Sequence, residues 1–307
     1  MKELKVSEFL KKEKCPVSAN DIAKEYDVLE QMFNRDDVVK QLLMDKYGDY
    51  QQRNRYSDIL TYHKSRVKLV RGLYHNDKAS DYINACYVNS PFENANGSDF
   101  GDKKIIASQG PLPQTTDHFW QMIIENNVTM IISTCKTSEN GRTKCNQFWP
   151  DPNKGKTHLI SQYDVNKENI ETNLQDYAQE SQFLERREIQ AKRQDGSTHN
   201  VTQIHFTGWP DHGVPDGQAI QDFELMLNKF INWNLQSGSN EKSIVHCSAG
   251  IGRTGTTISL METIINICAQ KNSGVQDPAF SLFHTVRRLR EQRFGAVQTH
   301  SQYVFMY

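Results

Sequence analysis

Cys247 and Arg253 stand with five residues between them in the segment Lys242-Ser243-Ile244-Val245-His246-Cys247-Ser248-Ala249-Gly250-Ile251-Gly252-Arg253-Thr254-Gly255. The small residues between them, Ser248, Ala249, Gly250 and Gly252, allow consecutive backbone N–H groups to turn inward, and the start of a following helix reinforces the concavity as an anion site. Such a site suits a tetrahedral oxyanion. Phosphate is the natural candidate, because the planar fork of Arg253 can hold two equatorial oxygens as their charge shifts during transfer. The same amides and helix dipole favour a thiolate over a thiol, which makes Cys247 the expected nucleophile. A cysteine six positions before an arginine is common by chance, and a strand-end cysteine is usually buried and inert. It is the agreement of glycines, nucleophile, anion ligand and helix start across HCSAGIGRTG that favours chemistry.

That run resembles, without a gap, the signature loop of the protein tyrosine phosphatases of the non-receptor type. The resemblance implies that Cys247 attacks phosphorus to form a phosphocysteine. Arg253 and the loop from Ser248 through Ala249, Gly250 and Ile251 to Gly252 hold the phosphoryl group, and Thr254 eases departure of the thiolate. Hydrolysis of phosphotyrosine expels a phenolate whose conjugate acid has a pKa of about 10, so a positioned acid is worth roughly a hundredfold to ten-thousandfold. Trp209-Pro210-Asp211-His212-Gly213-Val214-Pro215, about 35 residues before Cys247, resembles the family's mobile acid loop. Asp211 is then general acid in the first step and base in the second, and His212 takes no role. Alone, Pro-Asp-x-Gly is more often a simple turn.

Other segments match the family one by one. Arg53-Asn54-Arg55-Tyr56-Ser57-Asp58-Ile59-Leu60 resembles the phosphotyrosine recognition loop, with Tyr56 stacking on the substrate ring and deepening the slot and Asp58 accepting from the substrate backbone. Gln298-Thr299-His300-Ser301-Gln302 resembles the loop that places the hydrolytic water, with Gln298 as principal ligand and Gln302 assisting. In Ser138-Glu139-Asn140-Gly141-Arg142-Thr143-Lys144-Cys145 the resemblance gives Glu139 the role of orienting Arg253 and brings Lys144 toward Asp211; Asn140 stands where a lysine is common. His246 is expected to hold the Cys247 loop by a ring hydrogen bond. Asp81–Ala85 and Ala107–Pro113 match as structural stretches. Departures are Thr61 and His63, in place of proline and aspartate, and Phe294, in place of a proline before Gly295. Arg290 and Arg293 are weighed as a second anion site against the ordinary role of basic residues at a helix end.

To position these groups the chain needs strands that end at the loops and helices that start there. From about Tyr82 short β-rich runs alternate with helical ones, YINACYV, HFWQMIIENN and VTMIIST, which predicts an α/β fold. The expected architecture is one phosphatase domain, a twisted mixed β-sheet flanked by α-helices, with a helical N-terminal lead-in. The division is residues 1–24 for the lead-in and 25–307 for the catalytic domain. Ile22, Tyr26, Leu29 and Phe33 make one apolar helical face, capped from Ser18 or Asn20. Gln194-Asp195-Gly196 joins the arms of an antiparallel hairpin. Three later stripes predict helices: Ile220, Phe223, Leu227, Phe230 and Ile231; Ile258, Met261, Ile265 and Cys268; and Phe283, Val286 and Leu289, beginning near Pro278. Members of the family it resembles usually continue past the position of Tyr307 into a closing helix, which is expected here to be either trimmed or abbreviated.

Charge is balanced, 36 Lys and Arg against 37 Asp and Glu, which argues against a broad nucleic-acid or anionic-membrane surface. Six scattered cysteines do not make a disulfide scaffold, and no stretch is long and apolar enough for a signal or a span. Lys2 stands where myristoylation needs glycine, and the YVFMY end offers no prenylation cysteine. The ten histidines form no zinc motif, so neither metal nor cofactor is expected. The expected protein is a cytoplasmic monomer acting on phosphotyrosine-containing proteins. Two alternatives are a catalytically weak phosphotyrosine-binding protein that sequesters partners and a lipid or dual-specificity phosphatase; Tyr56 and the uncharged loop interior favour phosphotyrosine over the latter. The lead-in VSEFLKKEKCP also resembles that of the tyrosine phosphatases of parasitoid-wasp bracoviruses, which implies the cytoplasm of an infected host cell.

Overall fold

The computed structural model describes residues 3–10, 15–39, 50–70, 81–89, 105–151, 157–159, 170–193, 195–210 and 213–307. In chain order the elements are β1 (Leu4–Lys5), α1 (Val6–Leu10), α2 (Ala19–Phe33), α3 (Asp36–Val39), β2 (Arg66–Lys68), β3 (Tyr82–Val88), β4 (Ile105–Ser108) and α4 (Thr116–Glu125). Then come β5 (Val128–Ser133), β6 (Ser138–Glu139), β7 (Arg142–Thr143), β8 (Thr157–Leu159), β9 (Ile170–Gln179), β10 (Leu184–Lys192) and β11 (Thr198–Phe206). The last third holds α5 (Gln218–Gln236), β12 (Lys242–His246), α6 (Gly252–Asn272), β13 (Ala279–Phe280), α7 (Leu282–Arg290) and α8 (His300–Phe305).

Among the described residues nine strands form one mixed sheet in the order β2-β3-β4-β12-β5-β11-β10-β9-β8. The centre, β4-β12-β5-β11, is parallel and both flanks are antiparallel. A parallel centre must be covered on both faces, and the residues alternate accordingly. Ile106, Ile131 and Ile244 point into the core under α4, while Ala107, Ile132 and Val245 point into the core under α5 and α6. Because β12 is central and parallel to its neighbours, its C-terminal end opens at the sheet edge where ligands bind in such folds. Cys247 follows that end directly.

A third core joins the lead-in to the C-terminal helices: Ile22, Tyr26, Leu29 and Phe33 of α2 pack with Phe283, Val286 and Tyr303. Ser18 caps α2 by accepting from the Asp21 N–H, as expected. The expected boundary between residues 24 and 25 falls inside α2, whose buried face carries Ile22 on one side of it and Tyr26 on the other.

The hairpin of β10 and β11 forms with Gly196 at φ 85°, the geometry an Asp-Gly turn provides; Gln194 lies outside the described residues. One residue of a stripe and one helix start need correction. In α5 the buried line runs through Ala219, Phe223, Met226 and Phe230, and Ile220, in the first turn at its margin, is 45% exposed. The third helix begins at Leu282 rather than near Pro278, because Ser281 supplies the cap, accepting from the His284 N–H, after the short strand β13. In α6 the first turns are buried all round, and Thr256 and Thr257 satisfy their hydroxyls by donating to the carbonyls of Gly252 and Arg253. Among the described residues no helix is long and apolar enough to cross a membrane.

Candidate active site

The loop between β12 and α6 owes its shape to where its carbonyls go. The Ser248 carbonyl accepts from the Gly110 N–H at 3.0 Å, and the Ile251 carbonyl accepts from the N–H groups of Gly255 and Val297 at 2.9 and 3.1 Å. The carbonyls of Ala249 and Gly250 both accept from Arg293, at 3.0 Å each, and that side chain is wholly buried. With four consecutive carbonyls drawn outward, the peptide N–H groups are left to face the centre, and the Gly250 N–H donates to the Cys247 sulfur at 3.2 Å. Gly250 sits at φ 71°, and a methyl there would lie 2.2 Å from the Ser108 carbonyl oxygen. Gly110 is similarly tight, since a methyl there would lie 2.7 Å from the Cys247 carbonyl oxygen.

The loop encloses the floor of a cleft of about 700 Å³ lined by Cys247, Ser248, Ala249, Gly252 and Arg253. Tyr56, Asp58, Lys144, Gln298 and Gln302 form its walls. Of the expected residues, Gly250, Ile251, Thr254, Glu139 and His246 stand behind this lining. Cys247 is 4% exposed, so the sulfur is reached only through the cleft.

Each wall has a visible support. The Tyr56 hydroxyl and the Ser248 hydroxyl are 2.9 Å apart, which fixes the ring as a side of the slot. Its loop is tied down by Gln109, whose side chain accepts from the Arg55 N–H and donates to the Arg53 carbonyl, at 2.9 and 2.7 Å. Asn84 donates to the Ile59 carbonyl and to Asn54. Arg55 spends its guanidinium on the carbonyls of Gly110, Pro111 and Thr143.

Arg253 donates to both oxygens of Glu139, at 2.6 and 2.8 Å, and Glu139 also accepts from the Lys136 N–H. Burial opposes the Arg253 charge, but the Glu139 hydrogen bonds and the nearby Cys247 sulfur outweigh it and hold the guanidinium above its usual range. Glu139 rides on the β6–β7 hairpin, whose turn places Asn140 and Gly141 at φ 49° and 72°. Asparagine tolerates that conformation better than lysine does, which accounts for Asn140.

His246 is buried at the end of β12, its ring 2.7 Å from the Ser133 hydroxyl and 3.3 Å from the Cys247 carbonyl oxygen. Thr254 is buried directly after Arg253, and its hydroxyl has no hydrogen-bond partner among the described residues. Gln302 caps α8 in exchange with Thr299 and lies against Gly252. Asp211 and His212 lie outside the described residues; Pro210 and Gly213 on either side line the cleft, and the Trp209 indole donates to the Gly213 carbonyl at 2.8 Å.

Arg290 and Arg293 do not make a second anion site. Both are buried, Arg293 on the carbonyls just described and Arg290 on those of Ala296 and Val297 with Glu30 at 2.8 Å. Their spacing in the sequence carries no sign of this, nor do Gln109, Asn84 and Arg55 announce their loop-holding bonds. Among the described residues no group of three or more His, Cys, Asp or Glu is arranged to hold a metal.

Residues 50–307 match the protein-tyrosine phosphatase family. The chain is 34% identical over 94% of its length to rat tyrosine-protein phosphatase non-receptor type 20, and 36% identical over 83% of its length to the human form. It is 35% identical over 85% of its length to rat receptor-type tyrosine-protein phosphatase zeta. It spans 59%, 53% and 10% of those relatives respectively. Among solved structures, PTPN18 in complex with HER2 phosphopeptides superposes with a TM-score of 0.76 at 28% identity, covering 94% of this chain and 91% of that one. Fold, loop and sequence agree, and the chain belongs to the protein-tyrosine phosphatase family.

Proposed function

We propose that this chain hydrolyses phosphotyrosine in proteins through a phosphocysteine on Cys247. The observation that carries the reading is the single cleft in which inward amides, the Cys247 sulfur and the Arg253 fork converge. In the first step Sγ attacks phosphorus in line with the phenolic oxygen, and Asp211 protonates that oxygen as the P–O bond breaks. Arg253 and the loop amides hold the equatorial oxygens throughout. In the second step water, held by Gln298 and Gln302, attacks phosphorus. Its proton passes to Asp211, the S–P electron pair returns to sulfur, and the Thr254 hydroxyl stabilises that sulfur. Glu139, Lys144 and His246 act behind these groups. Tyr56 gives the slot a depth that phosphotyrosine spans and phosphoserine does not, with Asp58 at its mouth.

The purified chain is expected to release phosphate from aryl phosphates and phosphotyrosine peptides under reducing conditions. Cys247→Ser should abolish release, and Asp211→Ala should cut turnover while leaving substrate bound. Binding of phosphopeptide by the unmutated chain with no phosphate released would replace hydrolysis with sequestration. The lead-in resemblance supports the further proposal that the chain is a monomeric bracovirus product acting in the host-cell cytoplasm. Fractionation of infected cells with antibody to the chain would overturn it by finding the protein elsewhere.

A further inference from the structure

Helix α2 ends at Phe33, before the family match begins at residue 50, yet it reaches the loop that carries Gln298. That loop is held in an unusual shape. Val297, a β-branched residue that is wholly buried, sits at φ 57°, a conformation such side chains rarely take and which persists only when neighbours impose it. The imposing bonds fall on three consecutive carbonyls. Arg290 donates to those of Ala296 and Val297 at 2.8 and 2.9 Å, and the Tyr26 hydroxyl donates to that of Gln298 at 2.6 Å.

Both donors depend on α2. Glu30 pairs with Arg290 at 2.8 Å, and the Arg290 guanidinium lies over the Tyr26 ring at 5.4 Å. Tyr26 also packs edge-on against His300, two residues after Gln298, at 5.7 Å. Burial, and next Glu30, push the Tyr26 phenol up to about 12, so it remains a donor across the neutral range. One turn apart on one face of α2, Tyr26 and Glu30 thus set where the Gln298 backbone lies, and Gln298 lines the cleft.

We infer that Tyr26 and Glu30 are positioning residues for Gln298, and through it for hydrolysis of the phosphocysteine rather than for its formation. This rests on the hydrolytic reading above. Gln298 serves only the step in which a water oxygen bonds to phosphorus, the S–P pair returns to Cys247 and the water proton goes to the base. Formation of the intermediate needs Cys247, Arg253 and the acid.

Tyr26→Phe keeps the ring and removes one hydrogen bond, and Glu30→Gln weakens the pull on Arg290. Loosening one such bond is expected to lower kcat about fivefold. kcat/KM, which reports only steps through formation of the intermediate, should stay within about twofold, so that KM falls with kcat. Stopped-flow mixing with an aryl phosphate should then show a burst of phenolate in both variants. Equal loss in kcat and kcat/KM, or no change in either, in variants that melt like the unmutated chain would overturn the inference. Should Tyr26→Phe not fold, Glu30→Gln read in the same way decides it. Absence of turnover in the unmutated chain would instead overturn the hydrolytic reading, and the inference with it.

Discussion

Glu139 and Arg253 are joined at both ends of the guanidinium fork, Nη1 to Oε1 at 2.6 Å and Nη2 to Oε2 at 2.8 Å, with both side chains buried. The pair fixes the orientation of the fork, and it ties the β6–β7 hairpin to the start of α6. Arg253→Lys keeps the charge and loses the planar fork, and kcat is expected to fall by roughly a hundredfold or more. Glu139→Gln should give a smaller loss, with Arg253 left charged but poorly aimed. Steady-state kinetics on an aryl phosphate checks both. Full turnover by Arg253→Lys would show that two-point holding of the phosphoryl group is not required.

Arg293 supports the floor of the cleft from beneath without lining it. Arg293→Met fills similar space but leaves the carbonyls of Ala249 and Gly250 unpaired in the core. A buried group stripped of its partner costs about 1–3 kcal/mol, so for two carbonyls a loss of roughly 2–6 kcal/mol in denaturant melts is expected. Inorganic phosphate should inhibit the variant more weakly than it inhibits the unmutated chain, because the amides no longer face one centre. Unchanged phosphate inhibition would mean that the loop keeps its shape without Arg293.

On β10, Glu185 gives the fold a dependence on acid. Its carboxyl is held down to about 2 by His205, whose ring lies 3.6 Å away, and by contact with Arg187, although burial pushes the other way. A carboxyl depressed in the folded chain contributes stability that is fully present above its unfolded value near 4.5 and is lost as pH falls toward 2. Chemical melts between pH 5 and 2.5 should show this loss, flattened in Glu185→Gln, with retained slope in that variant counting against the assignment.

The sequence made the candidate site legible where its parts are neighbours along the chain. The run from His246 to Gly255 is one strand end, one loop and one helix start, and its parts can be checked against each other without a fold. The α2 stripe and the β10–β11 hairpin were readable for a similar reason, since periodicity and an Asp-Gly turn are local. Arg293, Arg290, Gln109 and Asn84 were not readable. Their work is to satisfy main-chain groups that the fold brings close, across 43 residues in the case of Arg293 and Gly250. A buried arginine that serves carbonyls has the same letter as one waiting for an anion, and only the surrounding backbone tells them apart. Ile220 at the start of the α5 stripe was misplaced for a related reason, because helical period says which face is apolar but not where along the helix its burial begins.

In the proposed reaction Cys247 takes the phosphoryl group before water does. Rapid acid quench of the chain mixed with a ³²P-labelled phosphotyrosine peptide, followed by peptide mapping, tests it directly. The label should appear on the Cys247 peptide within one turnover, decay as phosphate is released, and be absent from Cys247→Ser. Phosphate release at full rate with no labelled Cys247, or release that survives in Cys247→Ser, would contradict it.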